Sequence, residues 1–428
     1  MRFYIETFGC QMNKLDSEVL SGLLEGAGLS PSDSPEDADV VLVNTCSVRE
    51  HAEQRVLERL RRLARWKRER PGRILGVVGC MAQRMGWELL TDVPHLDLVA
   101  GPDSYNKLPD VLERRDLPVV LVEQDGELYE GVEPRREGGV RAWVAIMRGC
   151  DNFCSYCIVP YVRGRERSRP HRSVVAEVEE LARESYKDVT LLGQNVNSYC
   201  DGEVDFAGLL RLVDRAGVPR VRFLTSHPKD LSEEVLRAMA ECPSLCEHLH
   251  LPIQSGSDRV LQLMRRSYTV ERYIRIVEEA RGLILDISIT TDILVGFPGE
   301  TEEDFERTLE VIRYVQFDDA YMYRYSPRPG TLAAQFPDDV PEEEKLRRLD
   351  EVIRLQREIT WRVNERLVGS EVEVLIEAPA KRDGMLGRTR TDKPVVVRGE
   401  GLKVGDFVKV RVTGTTGPTL LGGETALP

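Results

Sequence analysis

Short β-branched and aliphatic runs alternate with amphipathic stretches along most of this chain. The first such runs are Arg2–Gly9, Asp39–Thr45, Arg73–Gly79 and Leu96–Gly101, with helical periodicity between them at Asn13–Ala27 and Arg49–Arg70. Alternating β and α units predict a parallel sheet with helices on its faces. Pro118–Gly139 is charged and contains Gly and Pro, and reads as a connection. From Val140 the alternation resumes. Strands are predicted at Val140–Met147, Asp188–Leu192, Arg220–Thr225, Glu247–Ile253, Asp286–Val295 and Asp319–Tyr325. Helices are predicted at Ser173–Ser185, Ser232–Glu241, Thr269–Leu283 and Thr301–Val315. Six β/α units predict a partial barrel, short of the full eightfold one. Glu342–Val368 is a long, charged helical pattern that reads as a tether. Beyond it come five short β runs, Glu371–Glu377, Met385–Thr391, Pro394–Val397, Asp406–Val412 and Thr419–Gly422, which predict a small closed barrel.

Composition narrows the setting. At 428 residues the chain can bury two or three cores. It opens on a strand-like charged stretch where a secretory signal would be apolar, and no apolar run approaches membrane-spanning length. Nine cysteines in that context predict a reducing, cytoplasmic compartment and thiols used for metal or catalysis. A net charge of −13 argues against a surface coated in nucleic acid, yet permits local basic patches.

The candidate chemistry begins at Cys150-Asp151-Asn152-Phe153-Cys154-Ser155-Tyr156-Cys157, a C-x3-C-x2-C spacing. No disulfide scheme uses three neighbouring thiols, and a closed zinc site needs a fourth ligand that no second pair supplies. An iron-sulfur cube held by three cysteines leaves one iron open to a small ligand. Three chance buried cysteines are the bland alternative. Tyr156 is placed to lay its ring on a planar ligand. Elsewhere, Cys10, Cys46 and Cys80 each follow a predicted parallel strand, so all three fall on one carboxyl edge, where such sheets bind ligands. They point to a second metal centre, against the common reading of isolated cysteines as core residues. Asn44 and Gln11 are candidate supporting groups.

Arg163, Arg165, Arg167, Arg169 and Arg172 crowd the segment after the loop and suit a polyanionic substrate. The arginine-rich stretch Arg55–Arg73 reads as a solvated face ahead of an RNA contact. His227 is either a donor at the site or a turn histidine. His248 and His250 with Cys242 and Cys246 imitate a zinc set but are poorly placed to converge, and Cys200 is a spare thiol.

The loop and its flanks, Gly149 to Pro160 and Tyr161 to Pro170, resemble the radical S-adenosylmethionine (SAM) methylthiotransferase family. Thr7-Phe8-Gly9-Cys10-Gln11-Met12-Asn13 resembles that family's opening motif. The resemblance implies an α/β chain with a Rossmann-like parallel-sheet domain over 1–117 and a linker over 118–139. A partial (β/α)6 radical SAM core over 140–366 and an all-β TRAM barrel over 367–428 would follow. It implies two [4Fe-4S] clusters, one on Cys150, Cys154 and Cys157 that binds SAM, and an auxiliary one on Cys10, Cys46 and Cys80. Tyr156, Gly193, Gln194, Gln254, Ser255 and Gly296 would line the SAM or nucleoside pocket by position. Lys381, Arg382, Arg388, Arg390 and Lys393 would form the basic face of the barrel.

The activity implied is methylthiolation of carbon 2 of N(6)-isopentenyl-adenosine at position 37 of tRNA, 3′ of the anticodon. It would take an external electron donor, a sulfur donor and a monomeric enzyme. Rival readings are a relative acting on threonylcarbamoyl-adenosine in tRNA, one acting on an aspartate of a small-subunit ribosomal protein, and a non-catalytic iron-sulfur RNA-binding protein.

Overall fold

The computed structural model describes residues 1–47, 50–136 and 138–424. Arg49, Glu137 and residues 425–428 of the expected helix, linker and barrel lie outside the described residues. Six parallel strands form the first sheet, in the order Ser30–Pro31, Arg2–Phe8, Val40–Thr45, Ile74–Gly79, Leu98–Ala100 and Val119–Leu121. Apolar residues on both faces of Val40–Thr45 and Ile74–Gly79 are buried beneath helices, as a parallel sheet requires. Val119–Leu121 falls inside the stretch read as a linker, because a three-residue strand after Pro118 is too short to show a pattern. The rest of that stretch is also pinned. Tyr129 stacks on Tyr105 at 5.7 Å and donates its hydroxyl to Pro102 O, while Arg135 N donates to Glu18 O.

The central strands form two parallel three-stranded sheets. One has the order Arg220–Phe223, Asp188–Leu192, Arg141–Ala145, and the other His248–His250, Ser288–Val295, Asp319–Arg324. A bridge between Val221 and Leu245 joins them into a six-stranded arc, the expected partial barrel. Its helices start where the sequence places hydroxyls. Ser232, Thr269 and Thr301 cap Glu233–Glu241, Val270–Leu283 and Glu302–Val315 by accepting backbone N–H bonds. The helix Gln11–Gly26 packs on the outer strand Arg141–Ala145, so the first domain covers one flank of the arc. The helix Glu342–Glu365 covers the other. It buries Val352 and Ile359, and Gln356 and Thr360 donate to the carbonyls of Phe317 and Asp318. This helix is therefore a wall of the core and not a tether; its charges lie on the outer side of an amphipathic helix.

The last five strands close a barrel in the order Glu371–Pro379, Met385–Thr389, Pro394–Arg398, Leu420–Glu424, Phe407–Thr415 around Val374, Ile376, Val395, Val397, Val410 and Leu420. Its turn at 389–393 docks under the amino ends of the core strands. Arg220 and Arg222 donate to the carbonyls of Arg388, Thr389 and Arg390, and Lys393 pairs with Asp318. The opposite, carboxyl ends of those strands form the mouth. Among the described residues no helix is long and apolar enough to cross a membrane.

Candidate active site

Sheet register brings the first three cysteines together. Phe8 pairs with Thr45 and Thr45 with Gly79, so the next residues leave the sheet side by side. Cys10 caps the helix Gln11–Gly26, Cys46 ends its strand, and Cys80 opens the helix Cys80–Met85. Gly79 sits at φ +93°, and a Cβ there would lie 2.4 Å from Asn44 Oδ1. The asparagines knit the site. Asn13 Nδ2 donates to Asn44 Oδ1 and Thr45 O, Asn44 Nδ2 donates to Asn13 O and Ser17 Oγ, and the Cys10 thiol donates to Asn13 Oδ1. Asn44 is thus where the sequence placed it, Gln11 is exposed, and Asn13 is an addition whose only sequence signal is its place in the opening motif. A hydrogen bond with Cys46 and the Arg163 charge hold the Cys10 thiol down at about 6, whereas burial raises Cys80.

The second triad is one loop folded back on itself. Cys157 N donates to Cys154 O, Cys150 N to Gly164 O, and Ser155 N to Met264 O. Gly149 N donates to Gln194 Oε1 at 2.6 Å, so Gln194 supports the loop. Burial pushes Cys150 up to about 11, and burial with the neighbouring Cys154 pushes Cys157 up to about 12. Arg266, which no motif flagged, is buried with Nη1 3.6 Å from Cys154 Sγ and Nη2 on Pro252 O.

Neither triad closes on a point. A zinc ion holds its thiolates at about 2.3 Å, which brings them within roughly 4 Å of each other. Among the described residues no three His, Cys, Asp or Glu side chains are so arranged, His248, His250, Cys242 and Cys246 included. His248 and His250 both bond Thr290 Oγ1 instead. Within each triad the thiols are near enough to perturb one another, Cys10 and Cys46 through a hydrogen bond. Three thiols without a fourth ligand are the donor set of a cube that keeps one iron open, and fall short of a closed zinc site.

Around the mouth, Tyr156 packs edge-on to Phe297 at 6.5 Å. Gly193 O accepts from Thr225 Oγ1, and Gln254 is buried at φ +68°. Ser255 turns away from the mouth, toward Thr308 Oγ1 and Ser257 N, so it does not line a pocket with its hydroxyl. Gly296 lies under the Lys345 side chain, 2.4 Å from where a Cβ would stand; its smallness accommodates that helix. His227 is buried. Its Nδ1 accepts from Lys229 N, and burial and the Arg266 charge push it down to about 2. It is neutral with the proton on Nε2, and that donor has no partner.

The arginines after the loop divide. Arg165 and Arg172 are exposed, although Arg165 pairs with Asp151 and Arg172 with Glu203. Arg167 is half-buried on Asp103, Arg169 is buried on Glu177 and Ala145 O, and Arg163 is buried on Asp16. Arg163 and Arg169 therefore offer no surface to phosphate, since their guanidiniums are already paired inside the protein. Arg388 and Arg390 are likewise held, Arg388 on Glu377 and Asp392 and Arg390 on Glu247 and Leu245 O, at the joint between barrel and core. Lys381 and Arg382 are exposed. On the helix Glu50–Glu69, Arg62 and Arg65 pair within the helix, as a solvated face does.

Family models match residues 2–101 (Uncharacterized protein family UPF0004), 144–312 (Radical SAM superfamily) and 365–423 (TRAM domain). A tRNA-2-methylthio-N(6)-dimethylallyladenosine synthase of Carboxydothermus hydrogenoformans is 48% identical over 423 residues, 96% of each chain. One of Clostridium novyi is 45% identical over 433 residues, covering 98% of this chain and 96% of its own. Among solved structures, a radical SAM methyltransferase from Kitasatospora setae with cobalamin and a [4Fe-4S] cluster bound superimposes with a TM-score of 0.62 at 17% identity, over 78% of this chain and 76% of that one. A cobalamin-dependent SAM radical enzyme gives 0.53 at 12% identity over 83% and 56%. These two support the fold of the paired domains. On the full-length identities, the chain belongs to the radical SAM family of tRNA-2-methylthio-N(6)-dimethylallyladenosine synthases.

Proposed function

We propose that this chain replaces the hydrogen on carbon 2 of N(6)-dimethylallyladenosine in tRNA, at position 37, with a methylthio group, using SAM and two [4Fe-4S] clusters. Cys150, Cys154 and Cys157 would hold the cluster that takes SAM, and Cys10, Cys46 and Cys80 the auxiliary one. The observation that carries the reading is the proximity of two three-thiol sets. The segment after Cys157 packs Ile158 and Val162 directly on Cys80. When bound, these groups supply the one-electron chemistry and the sulfur that an unactivated C–H bond demands and no side chain offers.

The chain's own residues orient and insulate. Asn13 and Asn44 fix the Cys10 and Cys46 side of the first set. Gln194 and the Met264 carbonyl fix the loop, and Arg266 donates to Cys154. The Nε2–H of His227 is a neutral donor for an acceptor on SAM or base. The substrate is a tRNA whose adenine must leave its stack to reach the mouth. Arg165, Lys381 and Arg382 are the exposed cations that would meet its phosphates. An external reductant and a sulfur donor complete the set, acting on a monomer in the cytoplasm.

The test is anaerobic reconstitution followed by reaction with tRNA carrying N(6)-dimethylallyladenosine and nucleoside mass spectrometry. The expected product is the 2-methylthio nucleoside. Product only on threonylcarbamoyl-adenosine, or only on a ribosomal-protein peptide, would replace this substrate assignment. RNA binding without SAM cleavage would reject enzymatic function.

A further inference from the structure

Between the two thiol sets lies a buried cluster of charge. Asp16 accepts a hydrogen bond from Arg163 Nη2 on Oδ2 at 2.6 Å and forms an ion pair with Arg148, whose Nη1 stands 3.0 Å from Oδ1, and all three side chains are buried. One carboxylate facing two guanidiniums leaves a positive charge in excess. The adjacent Arg167 does not alter the sum, because Asp103 pairs with it at 2.6 Å. A buried charge without a partner is costly enough to need an explanation. Arg148 also lies over the Tyr129 ring, 4.8 Å from its centroid, which gives it a second partner. Arg163 has the Cys80 thiol within hydrogen-bonding reach as its second partner. Nη1 of each arginine is otherwise buried without a hydrogen-bond partner. The charge of Arg163 acts most strongly with Asp16, Cys80 and Cys10, and is felt also by Asp103 and Tyr105. The turn that carries this arginine, Val159–Arg163, lays Val162 and Ile158 on Cys80.

We propose that Arg163 is the counter-charge of the auxiliary cluster: its excess positive charge lies beside the Cys80 and Cys10 thiolates, favours the reduced form of the centre they hold, and sets its potential. This rests on reading Cys10, Cys46 and Cys80 as ligands. Three thiolates outweigh the charge of an oxidised cube by one, so the excess on the arginine and the excess on the centre cancel. Reduction adds one more negative charge, which a fixed neighbouring cation stabilises. The same residue sits six positions after Cys157, so one short segment serves both centres. Arg163 is a positioning residue in this scheme, since it acts through the cluster. The plainer alternative makes the Asp16–Arg163 pair a bolt between the first domain and the core.

Electrostatics and bolting separate by sign. The experiment uses the full chain with Cys150, Cys154 and Cys157 all changed to Ala, so that only the auxiliary centre is reconstituted. Its midpoint potential is read by an electron-paramagnetic-resonance redox titration, with iron counted per chain. Arg163→Met should move the potential negative, Arg163→Lys by less, and Asp16→Asn should move it positive. Arg172→Met, exposed on the same stretch, should leave it in place. A bolt would give Arg163→Met and Asp16→Asn the same consequence, looser iron with no opposed shifts, and that result overturns the proposal. If Arg163→Met does not fold, Asp16→Asn decides alone: a positive shift supports the proposal and an unmoved potential rejects it. If the parent triple variant holds no iron, the ligand reading itself fails, which is distinguishable from an arginine that has no effect.

Discussion

The two thiol sets have the same number of sulfurs and one buried arginine each, but they are built in opposite ways. Cys150, Cys154 and Cys157 belong to one loop, closed by backbone bonds between near neighbours and braced by Met264 and Gln194. Cys10, Cys46 and Cys80 meet only after three parallel strands have aligned, and Arg163 reaches them from another domain. Local closure is cheap in chain entropy, and long-range alignment is not. The loop set should therefore tolerate damage to the first domain, whereas the strand-end set depends on both domains and on the joint between them.

Removing each set in turn gives the largest effect. Cys10→Ala/Cys46→Ala/Cys80→Ala should keep one cube per chain and still release 5′-deoxyadenosine from SAM, yet form no methylthio product. Cys150→Ala/Cys154→Ala/Cys157→Ala should lose both outputs. Loss of SAM cleavage in the first variant would mean that the two sets are not separable. Backbone comes next. Ala at Gly79 or at Gly149 must adopt φ near +93° or +77°, with a Cβ 2.4 Å from Asn44 Oδ1 or 1.9 Å from Arg165 O. Each strain costs about 1–3 kcal/mol. Gly79→Ala should cut iron at the strand-end set and Gly149→Ala at the loop set, as counted in the matching triple-alanine background; equal losses at both sites would erase the contrast.

The supporting side chains should differ less. Asn13→Ala strands Asn44 and Thr45 O in a buried place, at about 1–3 kcal/mol, whereas Gln194→Ala removes one acceptor from Gly149 N, at about 1 kcal/mol. Urea unfolding of the apoprotein measures both, and a larger cost for Gln194→Ala would reverse the ranking. Smallest of all is Cys200→Ser. This thiol is exposed and belongs to neither set, so iron should be unchanged and stability within about 0.5 kcal/mol. A drop in iron would add Cys200 to one of them.

Much of this was legible in the chain. The C-x3-C-x2-C spacing marks the loop set by itself, because the three thiols are neighbours in sequence as in space. The strand-end set was legible one step less directly, through the alternation of strands and helices that puts Cys10, Cys46 and Cys80 on one edge. The six core strands, most of their helices and the five strands of the last barrel followed from periodicity and turn residues in the same way. The short strand Val119–Leu121 and the packing of Glu342–Glu365 were not legible, since three residues carry no period and a charged helix does not name the surface it covers.

Arginine is where sequence and structure part. A row of arginines after the loop reads as one basic patch, yet Arg163 pairs with Asp16, Arg167 with Asp103 and Arg169 with Glu177. Arg390 pairs with Glu247 across the barrel joint, and Arg266 reaches Cys154. The chain by itself determined which residues bear sulfur and which stretches become strands and helices, because spacing and periodicity are local properties. Tertiary structure alone decided which cations meet water and which are counter-charges, because an ion pair depends on a partner that may stand more than a hundred residues away, and only packing brings the two within 3 Å.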